Sequence, residues 1–196
     1  MENSEKNFLR RFTDKLFGGL DISWMMLIIY AMGTAILTAL FLIIPGLENT
    51  SFERMGVYPE AWIFFAVIIM ANCKKPLESA LKTFVFFLIS QPLIYLFQVP
   101  FSWMGWELFK FYFFWFKVTL CTFPGAFIGW FITKRNWLSV LILLPVIAFL
   151  LFTTYQCAII CITAFPRLLL ATLFCILQVV LYVYAFFPWY KRKKAE

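Results

Sequence analysis

Long apolar runs, cut at short intervals by clusters of charge, set the plan of this chain. A helix rises about 1.5 Å per residue, so roughly 20 apolar residues cross the ~30 Å hydrocarbon core of a bilayer. Judged by that length, the pattern predicts six membrane-crossing helices, over residues 22–44, 57–72, 80–99, 107–132, 137–155 and 168–187. The second is short and carries Glu60 in its outer part, which reads as a tilted span rather than a re-entrant one. Residues 156–166 are apolar enough to extend the fifth helix or to pack on the bundle as a partly buried loop. The predicted fold is an all-α, polytopic bundle of six transmembrane helices, one domain over residues 21–190. A cytoplasmic arm, residues 1–20, precedes it, and a basic cytoplasmic tail, residues 191–196, follows.

The arm does not read as a secretory signal, because Glu2, Glu5, Lys6, Arg10, Arg11 and Lys15 interrupt its apolar residues. Phe8, Leu9, Phe12 and Leu16 fall on one helical face, the pattern of a short helix lying in the membrane interface. Gly18 and Gly19 then allow a bend, and Asp21 or Ser23 can cap the next helix.

Orientation follows from lysine and arginine, which concentrate on the cytoplasmic side. They lie in the arm, at Lys74, Lys75 and Lys82, at Lys134 and Arg135, and in the tail at Lys191 to Lys194. The alternate loops hold Arg54, Lys110 and Arg167 beside Glu48, Glu53, Glu60 and Glu107. Both termini are therefore expected inside, in a multi-pass protein of the cell membrane. Trp24, Trp62, Trp103, Trp106, Trp130, Trp137 and Trp189 fall near the predicted boundaries, as an aromatic belt requires.

Composition narrows the class further. Apolar residues are 63% of the chain and charged residues 14%, against roughly 45–50% and about 25% in soluble proteins. The net charge of +7 resides at the ends of apolar segments, so it reads as a topology signal and not as a nucleic-acid surface. Histidine is absent, which removes the commonest general base and every histidine metal site. No acidic cluster or nucleophile triad replaces it, so no catalytic residue, metal ligand set or cofactor is expected, and the chain does not read as an enzyme. The five cysteines are scattered; Cys157 and Cys161, four apart, share a helical face and read as buried apolar thiols.

Candidate chemistry centres on charge at membrane depth. Lys117 lies about 22 Å above the inner end of its helix and Glu60 about 20 Å above Cys73, from helix rise. A lone lysine at that depth is costly and normally faces the bundle interior, so the two are expected to face each other or a shared cavity. The plainer alternative is a static ion pair that fixes helix packing. Lys110, two turns from Lys117 on the same face, is expected to snorkel outward. With Arg167, these lysines give the outer half of the bundle a cationic bias that would suit a small anionic ligand. Gln91, Tyr95 and Gln98 recur at i, i+4 and i+7, a polar face in an apolar helix beside Pro92, and Thr172, Cys175, Gln178 and Tyr182 repeat the theme. These polar residues serve as interhelical hydrogen bonds or as cavity lining. Pro124-Gly125 and Pro145 mark expected kinks.

Ala31, Ala35 and Ala39 repeat every four residues on the first helix, a spacing that lets another helix approach closely, by default one of the same chain and otherwise one of a second protein. Six helices, both ends inside, a similar length and this stripe resemble the substrate-binding subunits of energy-coupling-factor vitamin transporters. The resemblance covers topology and one motif. It implies an outward-facing solute pocket, with Ala31, Ala35 and Ala39 docking a membrane-coupling subunit. The sequence thus favours a transport-related protein that binds or translocates a small anionic or amphipathic solute through an outward-facing cavity. Lys117, Glu60, Lys110, Gln91, Tyr95, Gln98, Gln178 and Arg167 are its candidate substrate-binding residues. The competing reading is a non-catalytic subunit in the lipid bilayer that assembles with other membrane proteins, or with its own copies, through small-residue faces.

Overall fold

The computed structural model describes residues 11–163 and 166–187, and every regular element among them is helical. The predicted tail and the first half of the predicted arm lie outside the described residues. Within the arm, α1 covers residues 11–16. Ser23 then caps α2 (Trp24–Ile43), its hydroxyl accepting the Met26 N–H at 3.2 Å. Next come α3 (Ser51–Val57) and α4 (Pro59–Ala71), whose axes meet at 57°. Proline donates no N–H and disfavours helical backbone in the residue before it, so Tyr58 is extended and the helix restarts at Pro59. Pro76 likewise opens α5 (Pro76–Gln98), which continues through Pro92. A 3-10 turn, Gly105–Leu108, leads into α6 (Phe109–Gly129). A second, Trp130–Lys134, ends at Arg135 in left-handed backbone. Asn136 and Ser139 cap each other's backbone N–H at the start of α7 (Trp137–Thr163). The last described helix is α8 (Leu169–Phe186).

Five stretches are long and apolar enough to cross a membrane, and six if the bent α3–α4 pair counts as one span. The weak second segment of the sequence is thus the bent one, and it begins at Ser51 instead of residue 57. Residues 156–163 settle as an extension of the fifth predicted helix.

The end holding residues 44–58, 99–108 and 166–168 is called upper (the predicted outer face), and the opposite end lower. Helix α4 sits centrally and is apolar nearly all round, as a helix buried on every side is. Val67, Ile68 and Met70 pack with Leu143, Leu150 and Tyr182 of α7 and α8. Trp62 and Ile69 pack with Leu27, Ala35, Phe86 and Phe87 of α2 and α5. The remaining large contacts pair α2 with α5, α5 with α6, and α7 with α8. Helix α6 follows α5 but hardly touches α7, and only Thr119, Ala126 and Gly129 along it are buried.

Small residues explain the α2–α5 seam. Ala31, Ala35 and Ala39 are buried inside the chain, where they let α2 lie close to its neighbours. The docking of a second protein that the resemblance implied for them is corrected accordingly: among the described residues, these three alanines face helices of their own chain.

The described part of the arm is pinned to the bundle. Phe17, 4% exposed, packs edge-on against Tyr182 and Phe186 at 6.0 and 5.1 Å, while Phe12 of the predicted apolar face is exposed. The Asn72 side chain fastens the turn that follows. It accepts from Gly18 N–H at 3.0 Å and Leu20 N–H at 2.8 Å, and donates to the Leu16 and Ile68 carbonyls at 2.7 and 2.8 Å. Lys82, almost buried, donates to the Ile22 carbonyl and to Glu78, both at 2.7 Å. Trp62 and Trp130, expected in the aromatic belt, are buried instead, with their indole N–H groups on the Gly56 and Cys73 carbonyls.

Candidate functional site

The 3.6-residue period of α5 places Gln91, Tyr95 and Gln98 on one face, and that face looks into a chamber of about 320 Å³ in the upper half of the bundle. Thr38 of α2, Gly56 of α3, Trp62 of α4 and Trp115 of α6 complete its walls. Gly56 suits this crossing, since a Cβ there would meet the Thr38 methyl at 3.2 Å. Trp62 is held flat against the wall by its 2.9 Å bond to the Gly56 carbonyl and by Phe65, Phe86 and Phe87 around its ring.

Hydrogen-bonding capacity in the chamber is left over. Gln98 spends its amide N–H₂ on the Ile94 carbonyl at 3.1 Å, leaving its carbonyl oxygen. Gln91 is 5% exposed, and its amide has no hydrogen-bond partner among the described residues. Its polar atoms open onto the cavity instead of being sealed inside protein, which leaves them able to bond to whatever fills it. The Tyr95 hydroxyl has no described partner either, its ring resting on Phe109 and Tyr112. None of the residues lining the chamber is ionisable apart from that phenol.

Below the chamber, and sharing Trp62, Gln91 and Trp115 with it, runs a groove of about 330 Å³. It descends α4 from Pro59 to Met70 and α6 from Trp115 to Ala126, with Val146 of α7 on its far lip. Its lining is apolar in effect. The Thr119 and Thr122 hydroxyls donate to carbonyls of their own helix at 2.9 and 2.7 Å.

The charged candidates lie elsewhere, and here the structure corrects the sequence reading. Glu60, 4% exposed, pairs with Arg54 at 3.2 Å and not with Lys117. The Tyr58–Pro59 bend makes this possible by folding α3 back so that two residues six apart meet. Arg54 also covers the Tyr58 ring at 4.1 Å, and the Cys157 and Cys175 thiols are close enough to feel the pair's charge. Lys117 is exposed on the outer side of α6, its ammonium 5.0 Å from the Phe113 ring centroid. It faces away because α6 turns Thr119 and Trp115, not the Lys110–Lys117 stripe, towards its neighbours. Lys110 pairs with Glu107 at 2.9 Å on the exposed surface. The exposed Arg167 lines a separate upper recess with Glu53 and Arg54, and its carbonyl accepts from the Ser51 backbone and hydroxyl at 2.8 and 2.9 Å. Gln178 is fully buried in α8, accepting from the Tyr182 hydroxyl at 3.1 Å.

Of the eight candidate substrate-binding residues, the structure thus gathers Gln91, Tyr95 and Gln98, and leaves Lys117, Glu60, Lys110, Gln178 and Arg167 outside the cavity. Sequence reasoning missed Trp62, which read as a belt residue, Trp115, which it did not single out, and Arg54, which read as loop. Pro59 was the available signal for Arg54, since a proline at a helix start announces a break just before it. No group of histidine, cysteine or acidic side chains able to hold a metal occurs among the described residues. Comparisons of the chain with protein-family models, with curated proteins and with solved structures give no match.

Proposed function

We propose that this chain is a six-span protein of the cell membrane, both termini cytoplasmic, that binds a small amphipathic solute in the outward-facing chamber. The observation that carries the reading is the Gln91 side chain, which stands on the cavity wall and makes no hydrogen bond to another described residue. Tyr95, Gln98 and Thr38 add uncharged donors and acceptors, and Trp62 and Trp115 add flat apolar faces. A pocket of this kind, mostly apolar with a few convergent polar groups, is the usual build of a small-molecule site. Because Lys117 and Arg167 stand outside it, the solute's polar part is uncharged instead of anionic.

The test uses octyl glucoside, octanoate and octylammonium as probes of protein in lipid nanodiscs, read by tryptophan fluorescence. The uncharged probe binds wild type more tightly than either ion. Gln91→Leu removes about 1–3 kcal/mol of hydrogen bonding, a loss of roughly five- to 150-fold in affinity. Equal binding by the folded variant refutes the site.

A second reading, a subunit that assembles with another membrane protein, is favoured by a different observation. Lys117 is exposed within a span, has no ion pair among the described residues, and lies on the least covered helix. Such a charge is costly in lipid and suits a neighbouring helix that carries a carboxylate. Native mass spectrometry of wild type and Lys117→Leu decides: a larger species lost in the variant supports assembly, and a single chain in both removes it.

A further inference from the structure

The chamber is not closed below. It continues into the apolar groove through Trp62, Gln91 and Trp115, so one molecule can occupy both. Eleven residues of α4 separate Pro59 from Met70, which makes the groove about 16 Å long. Half of the ~30 Å hydrocarbon core is about 15 Å, so the groove matches the depth of one leaflet. The polar chamber sits above and the apolar channel below, the order in which an amphipath of the upper leaflet carries its head and its chain.

Gly125 adds an independent observation. Glycine weakens a helix interior and is kept there for a reason. At Gly125 the reason is not close packing, because a Cβ would meet nothing within 4 Å. The residue lines the groove, so its missing side chain is space held open. Access is open as well, since α6 and α7 hardly touch beside the groove and Val118 on its lip is 38% exposed.

We propose that the ligand is a single-chain amphipath with an uncharged hydroxyl- or amide-bearing head, seated with its head in the chamber and its chain in the groove, and entering sideways between α6 and α7. The proposal rests on the chamber reading above. Moving a chain from lipid into an apolar groove is close to neutral, because lipid tails are as apolar as the groove wall. The head therefore selects the ligand, and the groove only has to accept what is attached.

The experiment uses the full chain in phosphatidylcholine nanodiscs and a 16-carbon monoacylglycerol carrying a diazirine midway along its chain. After irradiation, adducts are mapped by mass spectrometry. We expect adducts at Ile63, Ala66, Val118 and Thr122, reduced at least fivefold by unlabelled monoacylglycerol but not by palmitate, whose head is charged. Gly125→Phe, and independently Thr122→Trp, should lower these adducts at least fivefold and leave those at the lipid-facing Leu120 and Ile128 unchanged. Adducts spread evenly over groove and lipid face, without competition, overturn the proposal. Loss with Gln91→Leu but with neither groove variant overturns the chain's placement while the chamber reading stands. Loss with the groove variants but not with Gln91→Leu removes the head, and with it the chamber reading.

Discussion

Glu60 gives the sharpest test of the arrangement, because two partners for it differ in outcome. The structure pairs it with Arg54 at 3.2 Å, side chains 5% and 15% exposed. At an effective dielectric constant near 20, two unit charges at that separation attract by about 5 kcal/mol before desolvation is charged against them. Removing one member of such a buried pair typically costs 3–5 kcal/mol, since the other is left buried and unpaired. The lower figure is expected here. One Glu60 oxygen and the Arg54 Nε have no partner, so a single hydrogen bond carries the contact. Glu60→Gln and Arg54→Met should each destabilise by about 3 kcal/mol, and the double variant by far less than their sum, giving a coupling of about 2 kcal/mol. The assay is reversible unfolding in mixed micelles with rising dodecyl sulfate, followed by tryptophan fluorescence. Lys117→Met, combined with Glu60→Gln in the same way, should show coupling below about 0.5 kcal/mol, the scatter expected of independent sites. A larger coupling of Glu60 to Lys117 than to Arg54 would refute both the α3–α4 bend and the outward face of α6.

Three other outcomes follow from the lower half of the bundle. Asn72→Ala removes four hydrogen bonds, one exposed and three part-buried, and should cost about 2–3 kcal/mol; hydrogen exchange at the Gly18 and Leu20 amides should rise with it. Gly129→Ala would place a Cβ 2.6 Å from the Met70 sulfur, an overpacking cost of about 1–2 kcal/mol because methionine can yield. Combining it with Met70→Ala, and repeating the unfolding assay, should recover most of that clash. Burial, and to a lesser degree the Glu78 carboxylate, push the Cys73 thiol up to about 11 against a smaller opposing pull from Lys82. A raised value keeps the neutral thiol through pH 7–9, so maleimide labelling of Cys73 should stay slow there and accelerate only as pH nears 11.

What could be read from the chain and what could not divides along a physical line. Apolar run length decides whether a stretch is a span, and α2, α5, α6, α7 and α8 all emerged from it. Boundaries were set by prolines the run length ignores: Pro59 and Pro76 start helices, and Pro92, Pro124 and Pro145 end none. Face was harder. A half-turn on α5 is legible because Gln91, Tyr95 and Gln98 are polar against apolar neighbours. Over residues 109–118 of α6 every residue but the two lysines is large and mostly apolar, so period says little, and cost alone was used to turn Lys117 inward. The cost argument does not say whether an inward turn of the helix or a neighbouring helix of another chain relieves it. The alanine stripe was correctly a close-packing signal, yet small residues do not state whether the helix they receive belongs to the same chain.

The anchorage of the arm has a consequence for how the chain is made. Phe17 emerges early in synthesis, but its neighbours Tyr182 and Phe186 belong to the last described helix, and the Asn72 side chain that holds Leu20 lies 52 residues later. Docking of the arm must therefore wait until α4 and α8 are both folded and in place. A nascent chain with a missing or inverted helix would leave Phe17 and the bend after it without a seat. The lower end of the bundle thus closes only on a finished chain.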